Sequence, residues 1–199
     1  MFVDKNGVVR KPVAYVAGFY MFYEDATERA DKYKTLCEKY GVIGIYPPQE
    51  ECAEEGPMYQ PKDDSHSEGQ KKWFNRDINH LKYCDMVITQ MEDFYGTEVE
   101  SGTSFECGIG ASYGKMLYGY LEDTRSMVER IKVPLHTRAD NCLASEDGIM
   151  VEDFDFPVNH MFKDFEIIKG DLEDCLKKIR KDLDKTLISA GLEPYKVTE

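Results

Sequence analysis

One stretch of the chain decides the fold: residues 85–121, DMVITQMEDFYGTEVESGTSFECGIGASYGKMLYGYL. It begins with a short apolar run at 85–91 and ends with another at 116–121, and each has the length of a buried strand. A polar loop at 92–101 and a helix over about 102–114 lie between them. Two strands that are apolar throughout and joined by a helix are typical of neighbouring parallel strands covered on both faces.

The same alternation extends in both directions from this unit. The pattern predicts further strands at 13–17, 42–46 and 165–170, and helices at 24–40, 68–83, 122–131 and 171–190. Gly41 is placed to end the first of these helices. Phe74, Ile78 and Leu81 are expected on the core face of the second. We therefore predict one doubly wound α/β domain, with about five parallel strands and helices on both faces.

Three other segments lack such periodicity. Residues 49–67 are polar and contain Gly56, Pro57 and Pro61, and a loop of this length is functional or disordered. Residues 132–158 are predicted to form an extended loop or lid. Residues 1–12 and 191–199 are predicted to be terminal extensions of a single domain spanning 1–199.

Composition excludes several classes of function. The formal net charge of −13 argues against nucleic acid as a partner, because binding a phosphate backbone needs a basic surface. No apolar run is long enough to span a membrane, and the N-terminus lacks the apolar core of a signal peptide, so we expect a cytoplasmic protein. The six cysteines form no CxxC pair and the four histidines do not cluster with them. We therefore expect no metal.

Two cofactor motifs fail on inspection. The segment GIGASYGK, residues 108–115, contains glycines and a lysine, but a phosphate-binding loop would need glycine at Ile109 and serine or threonine at Met116. A dinucleotide-binding loop would place its glycines between a strand and its helix, whereas these lie inside a helix. The sequence thus predicts no cofactor.

Glu106 is the carboxylate of most interest, because it lies near the start of the helix over 102–114. A helix start favours an ionised carboxylate, which could act as a nucleophile. Gly102 and Gly110 would leave room for a ligand on that face. The alternative is a capping box with Thr103, and spacing alone favours the cap.

Three other residues, taken from the pattern alone, do not require a catalytic role. Asp77 lies at the edge of a helix's buried face, so it could be an acid acting on a leaving group or one half of an ion pair. Glu100 could be solvated. Tyr15 lies in an apolar strand whose pattern does not say which face of the sheet it points into, and a core tyrosine is the simpler interpretation.

Three blocks together resemble the nucleoside 2-deoxyribosyltransferase family. The first is AYVAGFYMF at 14–22 and the second runs from Arg76 to Lys115, including GTSFECG at 102–108. The third comprises DTRSM at 123–127 and VEDFDFPVNHMF at 151–162. Their order and approximate spacing are similar to the family's over about 13–185.

The resemblance implies a flavodoxin-like fold, a homo-oligomer built from dimers, and a double displacement on a 2'-deoxynucleoside with a free nucleobase as acceptor. Glu106 would attack C1', Tyr15 would hold it, and Asp77 would assist protonation of the base. Substrate-binding positions would be Gly18, Phe19, Glu100 and Asn159, with Asn159 commonly serving the neighbouring subunit's site. Glu100 replaces the usual aspartate, and His160 replaces a leucine.

Two other functions remain open at this point. One is an N-glycoside hydrolase on the same scaffold, in which water replaces the second base and the substrate is a deoxynucleoside or its 5'-monophosphate. The acidic chain offers Ser101 and Ser104 for a phosphate, but little positive charge. The other is a non-catalytic nucleoside-sensing domain.

Overall fold

The computed structural model describes residues 2, 9–46 and 66–194, and a parallel β-sheet lies at its centre. The strands, in chain order, are β1 (Val13–Ala17), β2 (Ile43–Ile45), β3 (Met86–Gln90), β4 (Met116–Leu121), β5 (Leu135–Thr137), β6 (Leu143–Ser145) and β7 (Glu166–Lys169). The helices are α1 (Ala26–Lys39), α2 (His66–Tyr83), α3 (Ser101–Ser112), α4 (Met127–Arg130) and α5 (Leu172–Ser189). Two 3-10 turns cover Phe19–Phe22 and His160–Phe162.

The five-stranded sheet has the order β2-β1-β3-β4-β7, and its neighbouring strands are all parallel. This is the flavodoxin-like doubly wound order, in which the direction of winding reverses between β1 and β3. The predicted α/β fold is therefore confirmed.

Successive residues of β1 point to opposite faces of the sheet, because side chains alternate along a strand. Val13, Tyr15 and Ala17 pack in the core that includes Cys107 of α3. Ala14 and Val16 pack in the other core, with residues of α1 and α5. The sheet therefore has an α2/α3 face and an α1/α5 face, and Tyr15 lies on the α2/α3 face.

Local chemistry explains where several elements begin and end. Gly41 has a φ of 73°, so it follows α1 in the left-handed conformation expected at a helix end. α4 begins with a capping box between Ser126 and Glu129. The Asp171 side chain accepts a hydrogen bond from the Asp174 amide at the start of α5.

The structure corrects three predictions of local structure. Phe74 is 53% exposed, so it is not on the core face of α2, although Leu81 is buried there. Only Met127–Arg130 of the predicted helix 122–131 is helical. The predicted loop at 132–158 contains an antiparallel pair, β5 with β6, whose three-residue strands are too short to show the apolar alternation that indicates a sheet.

The long segment predicted to be a loop at 49–67 falls mostly outside the described residues, as does most of both terminal extensions. Within the described ranges, no helix is long and apolar enough to cross a lipid bilayer.

Candidate active site

The candidate site lies where the winding of the sheet reverses, at the carboxyl ends of β1 and β3. Ligands of doubly wound sheets bind outside the strands at this point. Tyr15 comes from β1, Glu106 from the helix that follows β3, and Asp77 from the helix that precedes β3. Three segments distant in sequence therefore meet at one place.

Glu106 is held by Tyr15, whose hydroxyl donates a hydrogen bond to the Glu106 carboxylate Oε1. Burial raises the pKa of Tyr15 well above its ordinary value, and the nearby carboxyls of Glu106 and Asp77 raise it further. The phenol therefore keeps its proton and acts as the donor. The next residue along α3, Cys107, anchors the helix, because its Sγ lies 3.2 Å from Thr89 Oγ1 in β3.

The electrostatics of Glu106 differ from the prediction. Burial raises its pKa from 4.5 to about 8 despite the opposing hydrogen bond from Tyr15, and the nearby carboxyls of Asp77 and Glu100 raise it further. Because α3 begins at Ser101, Glu106 lies in the second helical turn, beyond the free amides of the first. The prediction that the helix start holds Glu106 ionised is therefore wrong.

Glu100 is the residue that caps α3. Its carboxylate accepts hydrogen bonds from the Gly102 amide at 2.9 Å and the Thr103 amide at 2.7 Å. Burial alone would raise the pKa of Glu100, but these amides, with the Thr103 and Ser101 hydroxyls, lower it below its ordinary value. The predicted capping box of Thr103 with Glu106 is thus replaced by a cap from Glu100.

Asp77 forms an ion pair with its neighbour Arg76, with Asp77 Oδ1 3.0 Å from Arg76 Nη2. Burial raises the pKa of Asp77, and Arg76 opposes the rise. Asp77 also influences the pKa values of both Tyr15 and Glu106. The two interpretations of Asp77 are therefore compatible, since it is ion-paired and lies within electrostatic range of Glu106.

Sequence reasoning missed Arg76. Its side chain is only 9% exposed, which is rare for an arginine without an ionised partner. The position of Arg76 directly before Asp77 could have identified it in the sequence. Arg76 is the basic partner of the Asp77 ion pair, which the sequence analysis did not specify.

Gly18 and Phe19 follow β1 at the same end of the sheet. A Cβ on Gly18 would lie 2.7 Å from Gln90 Cβ, so a larger residue does not fit between β1 and β3 there. The Phe19 ring packs 5.3 Å from that of Phe94, in the loop after β3. An aromatic wall therefore lies beside the candidate site.

Of the two glycines expected to leave room for a ligand, Gly102 and Gly110, the second does not. Gly110 is buried, and a Cβ there would lie 2.5 Å from Val87 Cγ2, so this glycine lets α3 approach β3. A Cβ on Gly102 would meet the capping carboxylate of Glu100 at 3.1 Å. Gly110 therefore serves packing and leaves no space for a ligand.

Asn159 is held by hydrogen bonds within its own segment. Its Nδ2 donates to Glu152 Oε1 at 3.0 Å, and its Oδ1 accepts from the Met161 amide at 3.0 Å. With Glu98 and the β5–β6 region it lines a cavity of about 620 Å³. Among the described residues, no hydrogen bond joins it to Tyr15, Asp77 or Glu106.

The chemistry available at the site is acid–base and nucleophilic. Two carboxyls, Glu106 and Asp77, share a partly buried space with one phenol donor and one guanidinium. Within the described ranges 9–46 and 66–194, no group of three or more histidine, cysteine, aspartate or glutamate side chains is arranged to hold a metal ion.

Comparisons with known proteins converge on one family. The family model described as nucleoside 2-deoxyribosyltransferase matches residues 14–161. A solved 2-desoxiribosyltransferase from Leishmania mexicana is 25% identical with a TM-score of 0.62, and the match covers 84% of this chain and 96% of that one.

Two further relatives are more distant or less informative. A CMP N-glycosidase from Clostridium botulinum is 16% identical over 86% of this chain and 98% of its own, with a TM-score of 0.42, too low to bear on activity. An uncharacterized protein of Schizosaccharomyces pombe is 27% identical over 174 residues, 80% of this chain and 79% of that protein.

Proposed function

Because the chain belongs to the nucleoside 2-deoxyribosyltransferase family, we propose that it transfers 2-deoxyribose between nucleobases through a covalent intermediate on Glu106. One observation carries the proposal: a buried glutamate carboxyl accepts a hydrogen bond from the Tyr15 phenol and lies within electrostatic range of Asp77. A nucleophile that is held by a donor and paired with an acid has the parts needed for retaining glycosyl transfer.

In the first half-reaction, a carboxylate oxygen of Glu106 bonds to C1' of a 2'-deoxynucleoside. The bond from C1' to the base nitrogen breaks, and its electron pair stays on the base. Asp77 donates a proton to the departing base, which leaves neutral. In the second half-reaction a new base attacks C1' from the side the first base left, the ester bond returns its electrons to Glu106, and Asp77 regains a proton.

The two carboxyls share one proton in the active form. Their proximity disfavours double ionisation, since two like charges in a partly buried space repel. In the free site the high pKa of Glu106 favours the proton on that residue. A bound base that accepts a hydrogen bond from Asp77 moves the proton to Asp77 and leaves Glu106 ionised for attack.

Gly18, Phe19, Glu100 and Asn159 are proposed to bind the substrate. Gly18 and Phe19 form the end of β1 beside Tyr15. The Glu100 Oε1 that caps Gly102 also accepts a longer bond of 3.2 Å from the exposed Ser101 hydroxyl. A sugar hydroxyl that replaces Ser101 would bind there without disturbing the amide contact.

We also propose that the protein assembles as a homo-oligomer built from dimers, in which Asn159 serves the neighbouring subunit's site. Support comes from Asn159 lining a cavity of about 620 Å³ whose lining does not include Glu106. Large apolar side chains are exposed around Asn159, including Ile149 at 65% and Met161 at 78%. A second subunit covering this surface would bury them.

The direct test of the transfer is an exchange assay with a 2'-deoxynucleoside donor and a different free base, across purine and pyrimidine pairs. We expect the exchanged nucleoside with the native protein and loss of at least about a thousandfold in rate with Glu106→Ala. A matched control, Glu146→Ala, removes an exposed carboxylate and should retain full rate.

The same assay separates the other functions. Release of free base without exchange, faster from a 5'-monophosphate than from the nucleoside, would identify a hydrolase and overturn the transferase proposal. Nucleoside binding without turnover, unchanged by Glu106→Ala, would identify a sensing domain.

A further inference from the structure

The two carboxyls of the candidate site each have one oxygen held by the protein and one left open. Glu106 Oε1 accepts the hydrogen bond from the Tyr15 hydroxyl, and Asp77 Oδ1 accepts from Arg76 Nε at 3.1 Å and from Arg76 Nη2 at 3.0 Å. Among the described residues no hydrogen bond reaches Asp77 Oδ2 or Glu106 Oε2, and neither is a buried atom left without a partner. These two oxygens are therefore open to a ligand.

The Arg76 guanidinium is fixed in place by its surroundings. Its side chain is only 9% exposed, and its Cζ lies 5.6 Å from the centre of the Trp73 ring, one helical turn earlier in α2. A guanidinium is planar and rigid, so two of its N–H groups can hold one carboxylate oxygen in a fixed direction. The contacts of Arg76 with Trp73 and Asp77 therefore restrict the Asp77 carboxyl to one orientation.

Arg76 also determines which oxygen of a neutral Asp77 carries the proton. A guanidinium has N–H donors and no acceptor, so an oxygen that faces two of these donors has to stay unprotonated. Asp77 Oδ1 is in this position. A proton on Asp77 is therefore carried by Oδ2, the open oxygen.

We propose that Arg76 is a positioning residue for the transfer reaction, which holds Asp77 Oδ1 and so presents Oδ2, with its proton, to the departing base. This inference rests on the proposed function. In the first half-reaction the O–H bond at Oδ2 breaks, the proton moves to the base, and the electron pair stays on a carboxylate that Arg76 stabilises through Oδ1. In the second half-reaction the incoming base returns a proton to Oδ2.

The charges around Asp77 agree with this role. Tyr15 of β1 and Glu106 of α3 face Asp77 from the elements packed against α2, and neither supplies positive charge. Arg76 is the cation that lowers the pKa of Asp77 and that of Glu106, against the rise caused by burial. Arg76 therefore makes Asp77 a stronger acid, which favours proton transfer to the base.

Exchange rates with two kinds of donor separate positioning from a structural role. An ordinary 2'-deoxynucleoside needs the proton from Asp77. N7-methyl-2'-deoxyguanosine, or 5-nitro-2'-deoxyuridine if the protein accepts only pyrimidines, releases its base without one. For Arg76→Gln we expect kcat to fall roughly ten- to a hundredfold with the ordinary donor, with KM changed by less than about threefold, and kcat with the second donor to change by less than about threefold.

Two further variants complete this comparison. Arg76→Lys keeps the positive charge but lacks the planar pair of donors. Its kcat should fall with the ordinary donor, while its kcat/KM declines at the same pH as that of the native protein. In Arg76→Gln this decline should move to higher pH, because loss of the cation raises the pKa of both carboxyls. Lys177→Gln, which removes an exposed, ion-paired cation of α5, should leave rates and pH profile unchanged.

NMR titration of the ¹³C-labelled Asp77 carboxyl tests the contact without any reaction. We expect a higher pKa for Asp77 in Arg76→Gln than in the native protein, with circular dichroism to establish that the variant is folded. An unchanged Asp77 titration, or equal losses of rate with both donors, would overturn the role of Arg76. No exchange by the native protein would instead refute the transfer reaction itself, a result distinct from equal losses in the variant.

Discussion

At the scale of single residues, Glu106 shows how one position can serve chemistry at the expense of stability. Its carboxyl has a pKa of about 8 because the fold buries it, while the unfolded chain would give it the ordinary value of 4.5. Between these two pH values the folded protein holds a proton that the unfolded chain has released. Raising the pH through this window therefore weakens the folded state.

Glu106→Gln should remove this penalty, because an amide keeps the shape and still accepts from Tyr15 without titrating. We expect the variant to match the native protein near pH 4.5 and to exceed its stability near pH 8 by on the order of 4 kcal/mol. Urea unfolding across this pH range measures the difference. Glu146→Gln changes an exposed carboxylate and is the control for this experiment. If Glu106→Gln is no more stable than the native protein at pH 8, the raised pKa of Glu106 is contradicted.

Tyr15→Phe tests the donor to Glu106. The hydrogen bond from Tyr15 lowers the pKa of Glu106, so its loss should raise that pKa above about 8. In the proposed mechanism kcat/KM declines when the carboxyl pair loses its shared proton, and this decline should move to higher pH in the variant. We expect kcat to fall roughly ten- to a hundredfold. Tyr83 is exposed, and Tyr83→Phe is the control that should leave both the rate and the pH profile unchanged. If kcat/KM of Tyr15→Phe declines at the same pH as that of the native protein, Tyr15 has no role in the mechanism.

At the scale of elements, α3 is positioned by two different kinds of contact. Glu100 caps its first turn, and Gly110 lets its second half lie close against β3. The helix carries Glu106 between these two points, so its placement sets the distance from Glu106 to Tyr15.

Two alanine substitutions in α3 separate packing from helix propensity. Gly110→Ala would place a methyl group 2.5 Å from Val87 Cγ2, so we expect a loss of about 1–3 kcal/mol in the free energy of unfolding. Gly108→Ala, in the same helix, meets nothing within 4 Å and should stabilise by roughly 0.5–1 kcal/mol. Thermal and urea unfolding measure both, and equal effects would contradict the close approach of α3 to β3.

The sequence predicted the elements of the sheet well, because their apolar runs and helical periods are strong local signals. The strands at β1, β3 and β4 match closely, and Gly41 ends α1 as expected. The β5–β6 pair was missed because strands of three residues are too short to show such a pattern. The role of Glu106 as a helix-start carboxylate was also wrong, since α3 begins at Ser101 and its cap is Glu100, three residues before Thr103.

At the scale of the whole molecule, the proposed oligomer would complete the candidate site with a residue of a second subunit. Tyr15, Asp77 and Glu106 come together, whereas the Asn159 side chain is hydrogen-bonded to Glu152. The sequence could predict this set only through resemblance to a family, because spacing along the chain does not encode which side chains from distant segments meet.

Met161→Glu tests the proposed assembly. Met161 is 78% exposed beside Asn159, so a charge there should weaken a subunit interface without disturbing the fold of one chain. We expect light scattering to show the native protein as an oligomer and the variant shifted toward monomer, with reduced exchange activity. Ile188→Glu, on exposed α5, is the control that should keep the native assembly. A monomeric, fully active native protein would contradict the proposal.

The proposed covalent bond between Glu106 and C1' is tested most directly by mass spectrometry. The protein is incubated with a 2'-deoxynucleoside in the absence of acceptor base, quenched in acid, and digested. We expect a peptide containing Glu106 to gain the mass of one deoxyribosyl group, and the adduct to disappear when a second base is added before the quench. Deoxyribosyl transfer that proceeds with no adduct, or with the adduct on another residue, would contradict the role assigned to Glu106.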